Sequence, residues 1–232
     1  MKVDVHDIGN SGSRVVVIDD FLDDAHKVVE AAAALAPFPP EGATAYPGQR
    51  RQISPGDAAS VYVLSALQTA APYILKGFAA KDFAVVEASF SLLTTRPEGL
   101  RAVQRVPHVD CDDHSVLAVL HHLHDLPGTG TAFYRHIGTG LERADTGNSQ
   151  RLRQALSTEA QSLDRASASY VSAYDDLYEK IFSVEARFNR LVIYQGFLLH
   201  SGYISPDFAY SDDPRKGRLT GNIFVRTQGA TA

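Results

Sequence analysis

The chain has 232 residues, of which 44% are hydrophobic and 21% are charged, and it contains one cysteine. These values indicate a single soluble globular domain, and they exclude a disulfide-stapled miniprotein, a coiled coil and a disordered chain. The formal charge of −5 disfavours a nucleic-acid partner. We expect a cytoplasmic protein without a membrane partner. No apolar run approaches about 18 residues, and the N-terminus is acidic where a signal peptide is basic.

The first 82 residues predict a mixed α/β support for the rest of the chain. A β-branched run at residues 14–18 indicates a buried strand, and the aspartates after it offer N-caps for a helix over residues 25–36. Three prolines then end that helix. Residues 41–57 are predicted to be irregular, and a second helix is predicted over residues 58–77.

From residue 83 onward the sequence predicts strands separated by turns. These strands cover residues 83–95, 115–124, 131–137, 190–199 and 218–227, with a short extended segment at 105–110. Between about residues 141 and 180 the apolar residues recur at the spacing of an α-helix, which predicts helical structure there. Its two stripes are Leu152, Leu156, Ala160 and Leu163, and then Tyr170, Tyr174, Leu177 and Ile181. Strands around a helical insertion predict a mainly β (α+β) fold, a cupin-like jelly roll or double-stranded β-helix.

The most informative spacing for chemistry is His108-Val109-Asp110. On an extended strand, residues i and i+2 point to the same side, so the imidazole and the carboxylate can share one metal ion. A triplet of this kind is expected by chance in a chain of this composition. By itself it is better interpreted as a surface histidine near an aspartate.

Two later features strengthen the metal-site interpretation. His200 closes the apolar run at residues 190–199, where a buried imidazole needs a polar partner. Arg218 and Thr220 open the last predicted strand and share one face with Asn222. An arginine in that position can bind a carboxylate through two parallel hydrogen bonds.

In chain order, His108-x-Asp110, His200 and Arg218-x-Thr220 resemble the motifs of the Fe(II)/2-oxoglutarate-dependent oxygenase superfamily. The resemblance implies a double-stranded β-helix in which His108, Asp110 and His200 bind Fe(II) and form the catalytic centre. It also implies that Arg218 and Thr220 bind the distal carboxylate of the cosubstrate 2-oxoglutarate. The implied activity is a dioxygenase reaction that hydroxylates a small-molecule or peptide substrate.

The match to this superfamily has two departures. Prolyl-hydroxylase-like members place an assisting tyrosine where this chain has His122, so His122 is a candidate for cosubstrate binding. The interval from His200 to Arg218 is 18 residues, longer than is usual in the superfamily. We assign the excess to a loop at residues 204–217, because its prolines and aspartates argue against a strand. Arg226, eight residues further along, is the rival anchor for 2-oxoglutarate.

Three short segments also resemble a small bacterial subgroup often encoded near flavin-dependent tryptophan halogenases. They are residues 17–22, 46–48 and 187–191. Two other function classes stay open beside the oxygenase. One is a metal- or ligand-binding module that has the barrel but no turnover. The other is a zinc hydrolase that uses the same two histidines and aspartate; it has no evident need for a carboxylate anchor at Arg218.

Overall fold

The computed structural model describes residues 1–39, 46–163, 169–171 and 174–229. Within these residues the chain forms ten strands: β1 (Lys2–Ile8), β2 (Ser13–Asp19), β3 (Gly48–Gln52), β4 (Asp82–Leu93), β5 (Val116–His122), β6 (Thr129–His136), β7 (Tyr178–Glu185), β8 (Arg190–Gln195), β9 (His200–Ile204) and β10 (Leu219–Gln228). The α-helices are α1 (Ala25–Ala34), α2 (Ser60–Gly77) and α3 (Ser149–Ser162). None of the helices in this part of the chain is both long and apolar enough to span a bilayer.

The strands form two antiparallel sheets that pack face to face. The larger sheet has the order β1-β2-β8-β5-β10-β4-β3, and the smaller has the order β7-β6-β9. The inner faces meet through a cluster that includes Val192, Tyr194 and Phe133. The outer face of the larger sheet packs under α1 and α2 through residues such as Ala32 and Ile74. The predicted mainly β jelly-roll architecture is therefore confirmed.

Several predicted elements coincide with observed ones. The first predicted strand is β2, and the acids that follow it include the N-cap of α1, Asp24, whose Oδ1 accepts from the backbone N–H of Lys27 at 3.4 Å. The predicted second helix is α2. The predicted loop at residues 204–217 contains no strand beyond the last residue of β9.

The sequence interpretation missed both edge strands of the larger sheet. β1 alternates charged and apolar residues, and only Ile8 in it is buried. β3 lies within the segment predicted to be irregular and consists mainly of Arg and Gln, while residues 40–45 of that segment lie outside the described residues. Edge strands pack one side only and carry charged side chains, so they lack the apolar signal of central strands.

Two predicted elements are wrong. The second apolar stripe is not a helix throughout, because Tyr178–Glu185 forms β7 and pairs with β6. The run at residues 190–199 is also not one strand. β8 ends at Gln195, and a turn closed by a hydrogen bond from Leu198 N–H to Gln195 carbonyl carries the chain to the smaller sheet. His200 therefore begins a new strand, β9, and does not close the apolar one.

Candidate active site

The two candidate histidine ligands meet at the edge of the smaller sheet. His108 forms an isolated bridge with His200, the first residue of β9. The backbone N–H of each donates to the carbonyl of the other at 2.9 Å. Their rings lie side by side, with centroids 4.5 Å apart. The predicted extended segment at residues 105–110 is thus a short addition to this sheet.

Asp110 completes a group of three side chains that could hold a metal ion. Its backbone N–H donates to the carbonyl of Gly196 at 2.8 Å, which holds the extended geometry of the His-x-Asp motif. One carboxylate oxygen lies 3.8 Å from Nε2 of His108, and the other lies 3.6 Å from Nε2 of His200. One ligand atom from each residue lies within 4.8 Å of the others. The structure therefore brings together the three residues selected from the sequence.

Hydrogen bonds orient the ring of His200. Its Nδ1 lies 2.8 Å from the carbonyl oxygen of Leu198, and because a carbonyl only accepts, Nδ1 carries the proton. Nε2 of the neutral ring is then the lone-pair nitrogen, and it faces Asp110 and accepts from the hydroxyl of Tyr194 at 3.1 Å. A histidine ligand whose other nitrogen donates to a carbonyl is the usual arrangement at protein metal sites.

The environment keeps the imidazole of His108 neutral. Removal of water from around the ring, together with the nearby charge of Arg50, lowers the pKa of His108 to about 3. The side chain of Asp110 is only 18% exposed. Burial raises the pKa of Asp110, while the positive charge of Arg50 opposes that shift. A neutral imidazole and a desolvated carboxylate are both groups that a cation stabilises.

Arg218 lies in the same cavity, immediately before β10, and is 4% exposed. Its Nη2 donates to the carbonyl of Gly130 at 3.0 Å. Among the described residues its buried Nε has no hydrogen-bond partner, and no carboxylate lies within 4.0 Å of the guanidinium. A guanidinium stays charged in proteins, so this is a buried cation without an anionic partner in the described part of the chain.

A row of polar residues crosses the inner face of the larger sheet beside this arginine. The strand register aligns, from edge to interior, Arg50, Ser91, Thr220, His122 and Arg190. Arg190 at one end pairs with Asp19, whereas Arg50 and Thr220 line the cavity.

His122, the third candidate for cosubstrate binding, is fully buried in this row next to Thr220. Neither of its ring nitrogens has a hydrogen-bond partner among the described residues. Burial and the charge of Arg218 lower the pKa of His122 well below its usual value. The ring does not line the cavity itself, so its role in binding remains a prediction.

The cavity that joins these groups has a volume of about 350 Å³. It is lined by the triad of His108, Asp110 and His200, and by Arg218 and Thr220. The rival anchor Arg226 lies outside the cavity, where it is exposed and its Nε lies 3.3 Å from Oδ2 of Asp113. Tyr194 and Arg50 are polar residues of the cavity that the sequence analysis did not select. Tyr194 sits in an apolar run where a tyrosine is most often packing, and Arg50 lies on the edge strand that was not predicted.

The family model for the family of unknown function DUF6445 matches residues 1–225. The chain belongs to this family. A search of curated proteins finds no match for this DUF6445 chain.

Solved structures with the same fold include three proteins at low sequence identity. The epimerase SnoN from nogalamycin biosynthesis, described as non-heme and α-ketoglutarate dependent, aligns with a TM-score of 0.57 at 15% identity, covering 92% of this chain and 78% of its own. HygX from Streptomyces hygroscopicus, solved with nickel and 2-oxoglutarate bound, aligns with a TM-score of 0.57 at 9% identity, and the alignment covers 93% of this chain and 83% of HygX. The carbocyclase SnoK aligns with a TM-score of 0.53 at 14% identity, and the alignment covers 92% of this chain and 79% of SnoK. At these low identities, the alignments show only that the DUF6445 chain has the same fold as these proteins.

Proposed function

We propose that the protein is an Fe(II)- and 2-oxoglutarate-dependent oxygenase that hydroxylates a small-molecule or peptide substrate. The observation that carries this proposal is the position of Arg218, a buried cation in one cavity with His108, Asp110 and His200. An isolated buried charge is costly, so the arginine calls for an anionic ligand next to the metal ligands. The distal carboxylate of 2-oxoglutarate meets that need.

The residues present fit the metal and the cosubstrate. Two imidazoles and one carboxylate on one side of an ion are the donor set of non-haem Fe(II) oxygenases, which leaves the other positions open. Arg218 and Thr220 would hold the far end of 2-oxoglutarate, while Leu120 and Phe224 line the cavity with apolar surface that excludes water. The bound metal and cosubstrate supply the oxygen chemistry, and the protein supplies position and orientation.

The structural neighbours support this choice of ligands. HygX was solved with nickel and 2-oxoglutarate bound, and SnoN in complex with Fe3+, α-ketoglutarate and nogalamycin RO. SnoN and SnoK are an epimerase and a carbocyclase, so one fold serves several reactions. We propose hydroxylation for this chain because that reaction requires no additional acid or base from the protein.

Anaerobic titration of the Fe(II)-loaded protein with 2-oxoglutarate tests the proposal. We expect a weak visible charge-transfer band, and slow release of succinate after oxygen is admitted. His108→Ala, Asp110→Ala and His200→Ala should each lose bound metal and the band. His114→Ala is the matched control, because this exposed ring stacks on Phe197 outside the triad.

The alternatives give different results in the same titration. Metal binding without any 2-oxoglutarate binding would contradict the oxygenase proposal and favour the zinc hydrolase. Binding of 2-oxoglutarate without succinate release, with or without candidate substrates, would favour a binding module. Unchanged metal content in all three triad variants would contradict the metal site itself.

A further inference from the structure

A second cavity, of about 690 Å³, lies against the turn that joins β8 to β9, and none of its described lining residues belongs to the candidate active site. Its lining is mixed. Phe78, Leu117 and Phe197 contribute apolar side chains, and the polar lining residues are Arg14, His114, Ser115, Arg143, Gln195 and Thr227. None of the described lining residues is acidic. The volume is in the range of small-molecule sites, and the lining favours an anion over a cation.

Two side chains of this lining carry hydrogen-bond donors that no other described residue uses. Oε1 of Gln195 accepts from the backbone N–H of Arg14 at 3.0 Å, which fixes the amide and leaves Nε2 as the unused donor. Nη1 of Arg143 donates to the carbonyl of Ser11 at 3.1 Å, and its guanidinium carbon lies 5.8 Å from the centre of the Phe197 ring. Nε and Nη2 of the same guanidinium are then left as donors. Carboxylate and phosphate oxygens are the acceptors that such donors bind most strongly.

Of the two arginines that line this cavity, only Arg143 has no acidic partner in the described part of the chain. Arg14 pairs with Asp7, with 2.8 Å between Nε and Oδ1. Asp113 precedes two lining residues, but it pairs with Arg226 outside the cavity. Arg143 is half-buried, and in a partly desolvated site opposite charges attract more strongly than in water.

The turn from β8 to β9 connects this cavity to the candidate metal ligands. Two residues of the turn line the cavity, and the carbonyls that alternate with them orient the triad. The carbonyl of Gly196 accepts from the backbone N–H of Asp110 at 2.8 Å, and the carbonyl of Leu198 accepts from Nδ1 of His200 at 2.8 Å. Arg143 forms an isolated bridge with Leu198. A ligand that shifts this turn therefore shifts the groups that orient two of the three metal ligands.

We propose that the second cavity binds an organic anion through Arg143 and Gln195, and that this binding changes the metal affinity of the triad. The anionic group is a carboxylate or a phosphate monoester, and the apolar side chains of the lining contact the rest of the molecule. The inference goes beyond the proposed function, because it assigns a separate regulatory site. Arg96 provides a matched comparison, since its guanidinium carbon lies 5.2 Å from the centre of the Tyr210 ring, outside both cavities.

Binding of anion–neutral pairs to the whole chain, with and without saturating Zn(II), tests the proposal. The pairs are phenylacetate with phenylacetamide and phenyl phosphate with phenol, and ligand-detected NMR measures their affinities. We expect at least one anion to bind about tenfold or more tightly than its neutral partner, the range for a hydrogen-bonded charged group. Arg143→Gln should remove that preference, whereas Arg96→Gln and Arg218→Gln should keep it.

The second measurement is the affinity for Zn(II), determined by calorimetry with and without the preferred anion. We expect a change of about fivefold or more in the wild-type protein, as is typical of coupled sites, and no change in Arg143→Gln. The affinity for the anion should change by the same factor when Zn(II) is bound, because the coupling of two binding equilibria is reciprocal.

The outcomes separate this inference from the proposed function. If neither anion is preferred, or if Arg143→Gln keeps the preference, the anion site is wrong. If Arg218→Gln removes the preference instead, the probe occupies the candidate active site, and the proposal is overturned. An equal Zn(II) affinity with and without bound anion would contradict the coupling. A wild-type chain that binds no Zn(II) would contradict the proposed metal site, whereas the anion preference measured without metal would still decide the second cavity.

Discussion

The hydroxyl of Tyr194 donates to Nε2 of His200 at 3.1 Å, and Nε2 is the nitrogen that faces Asp110 and that a metal would take. The other ring nitrogen is held by the carbonyl of Leu198. Because one lone pair cannot serve a proton and a metal together, metal binding must release the hydroxyl of Tyr194 from His200. The phenol then faces the metal side of the cavity.

Tyr194→Phe should therefore tighten metal binding. The variant removes a competing hydrogen bond worth about 0.5–1.5 kcal/mol, which corresponds to roughly two- to tenfold in affinity. Zn(II) titration by calorimetry measures the change. Tyr134→Phe is the control, because this buried phenol packs in a different cluster, next to α3. Weaker binding in Tyr194→Phe would show that the phenol supports the metal rather than competing with it.

Arg218 and Arg226 should differ in their effect on the cosubstrate. Arg218→Gln should lower the affinity of the Fe(II) protein for 2-oxoglutarate by more than about tenfold, because it removes the charged partner of a buried carboxylate. Arg226→Gln should leave that affinity unchanged, since Arg226 is exposed beside Asp113. The anaerobic charge-transfer titration measures both. The reverse result would contradict the assignment of the anchor.

The variant His122→Leu tests separately how this ring affects the stability of the fold and the binding of 2-oxoglutarate. The ring has no hydrogen-bond partner among the described residues, so leucine should leave the free energy of unfolding unchanged or raise it by about 1 kcal/mol. If the ring donates to 2-oxoglutarate, the affinity for that ligand should fall about fivefold. Chemical denaturation and the charge-transfer titration measure the two effects.

His121→Leu is the matched control for that experiment. His121 lies on the opposite face of β5, where Nε2 contacts Oδ1 of Asn189 at 3.1 Å and the ring packs against Phe21. This variant should destabilise the fold by about 1–3 kcal/mol and leave 2-oxoglutarate affinity unchanged. Unchanged affinity in His122→Leu as well would remove His122 from the cosubstrate site.

The ion pair between Asp19 and Arg190 predicts a pH-dependent contribution to stability. The hydrogen bond from Arg190 lowers the pKa of Asp19 below its usual value of 3.8, although burial opposes the shift. A carboxyl group with a depressed folded-state pKa stabilises the fold above the unfolded-state pKa, and this contribution is lost as pH falls through the folded-state pKa. Asp19→Asn should therefore destabilise the protein by about 1–3 kcal/mol at pH 7.

That destabilisation should shrink as the pH falls below 3.8, the usual pKa of Asp19 in the unfolded chain, and on through its lower folded-state pKa. Urea denaturation at several pH values measures the difference between the two proteins. Asp7→Asn is the control, since Asp7 also pairs with an arginine, Arg14, but at the surface. A difference for Asp19→Asn that stays constant down to pH 3 would contradict the assigned pKa direction.

Local patterns in the sequence predicted the parts of the site that depend on strand geometry. His108 and Asp110 share one side because they are two residues apart in an extended segment. Thr220 faces the cavity, as its alternation with Leu219 and Gly221 indicates. The fold class followed from the apolar period of the central strands, which are buried on both faces.

The rest of the site depends on which strands pair, and no single segment encodes that information. Arg50 faces the cavity because β3 pairs with β4 in a register that sets it beside Ser91. Tyr194 reaches His200 because the chain turns at Gly196 and crosses between sheets. From its local sequence alone, Arg50 would be interpreted as an exposed cation, and Tyr194 as a packed aromatic ring.

Two reciprocal backbone hydrogen bonds hold His108 and His200 next to each other. The distance between these two residues therefore does not depend on the length of the chain that joins them. Their spacing is set by two hydrogen bonds of the sheet, whereas α3 and its flanking segments leave β6 and return at β7. Glu142 and Ala144, early in this segment, also form backbone hydrogen bonds with Leu199 and Phe197. The part that can be lengthened, shortened or exchanged without moving the ligands therefore begins after Ala144. Variation among relatives, and laboratory grafting, should concentrate there, so that changes accumulate around an unmoved group of His108, Asp110 and His200.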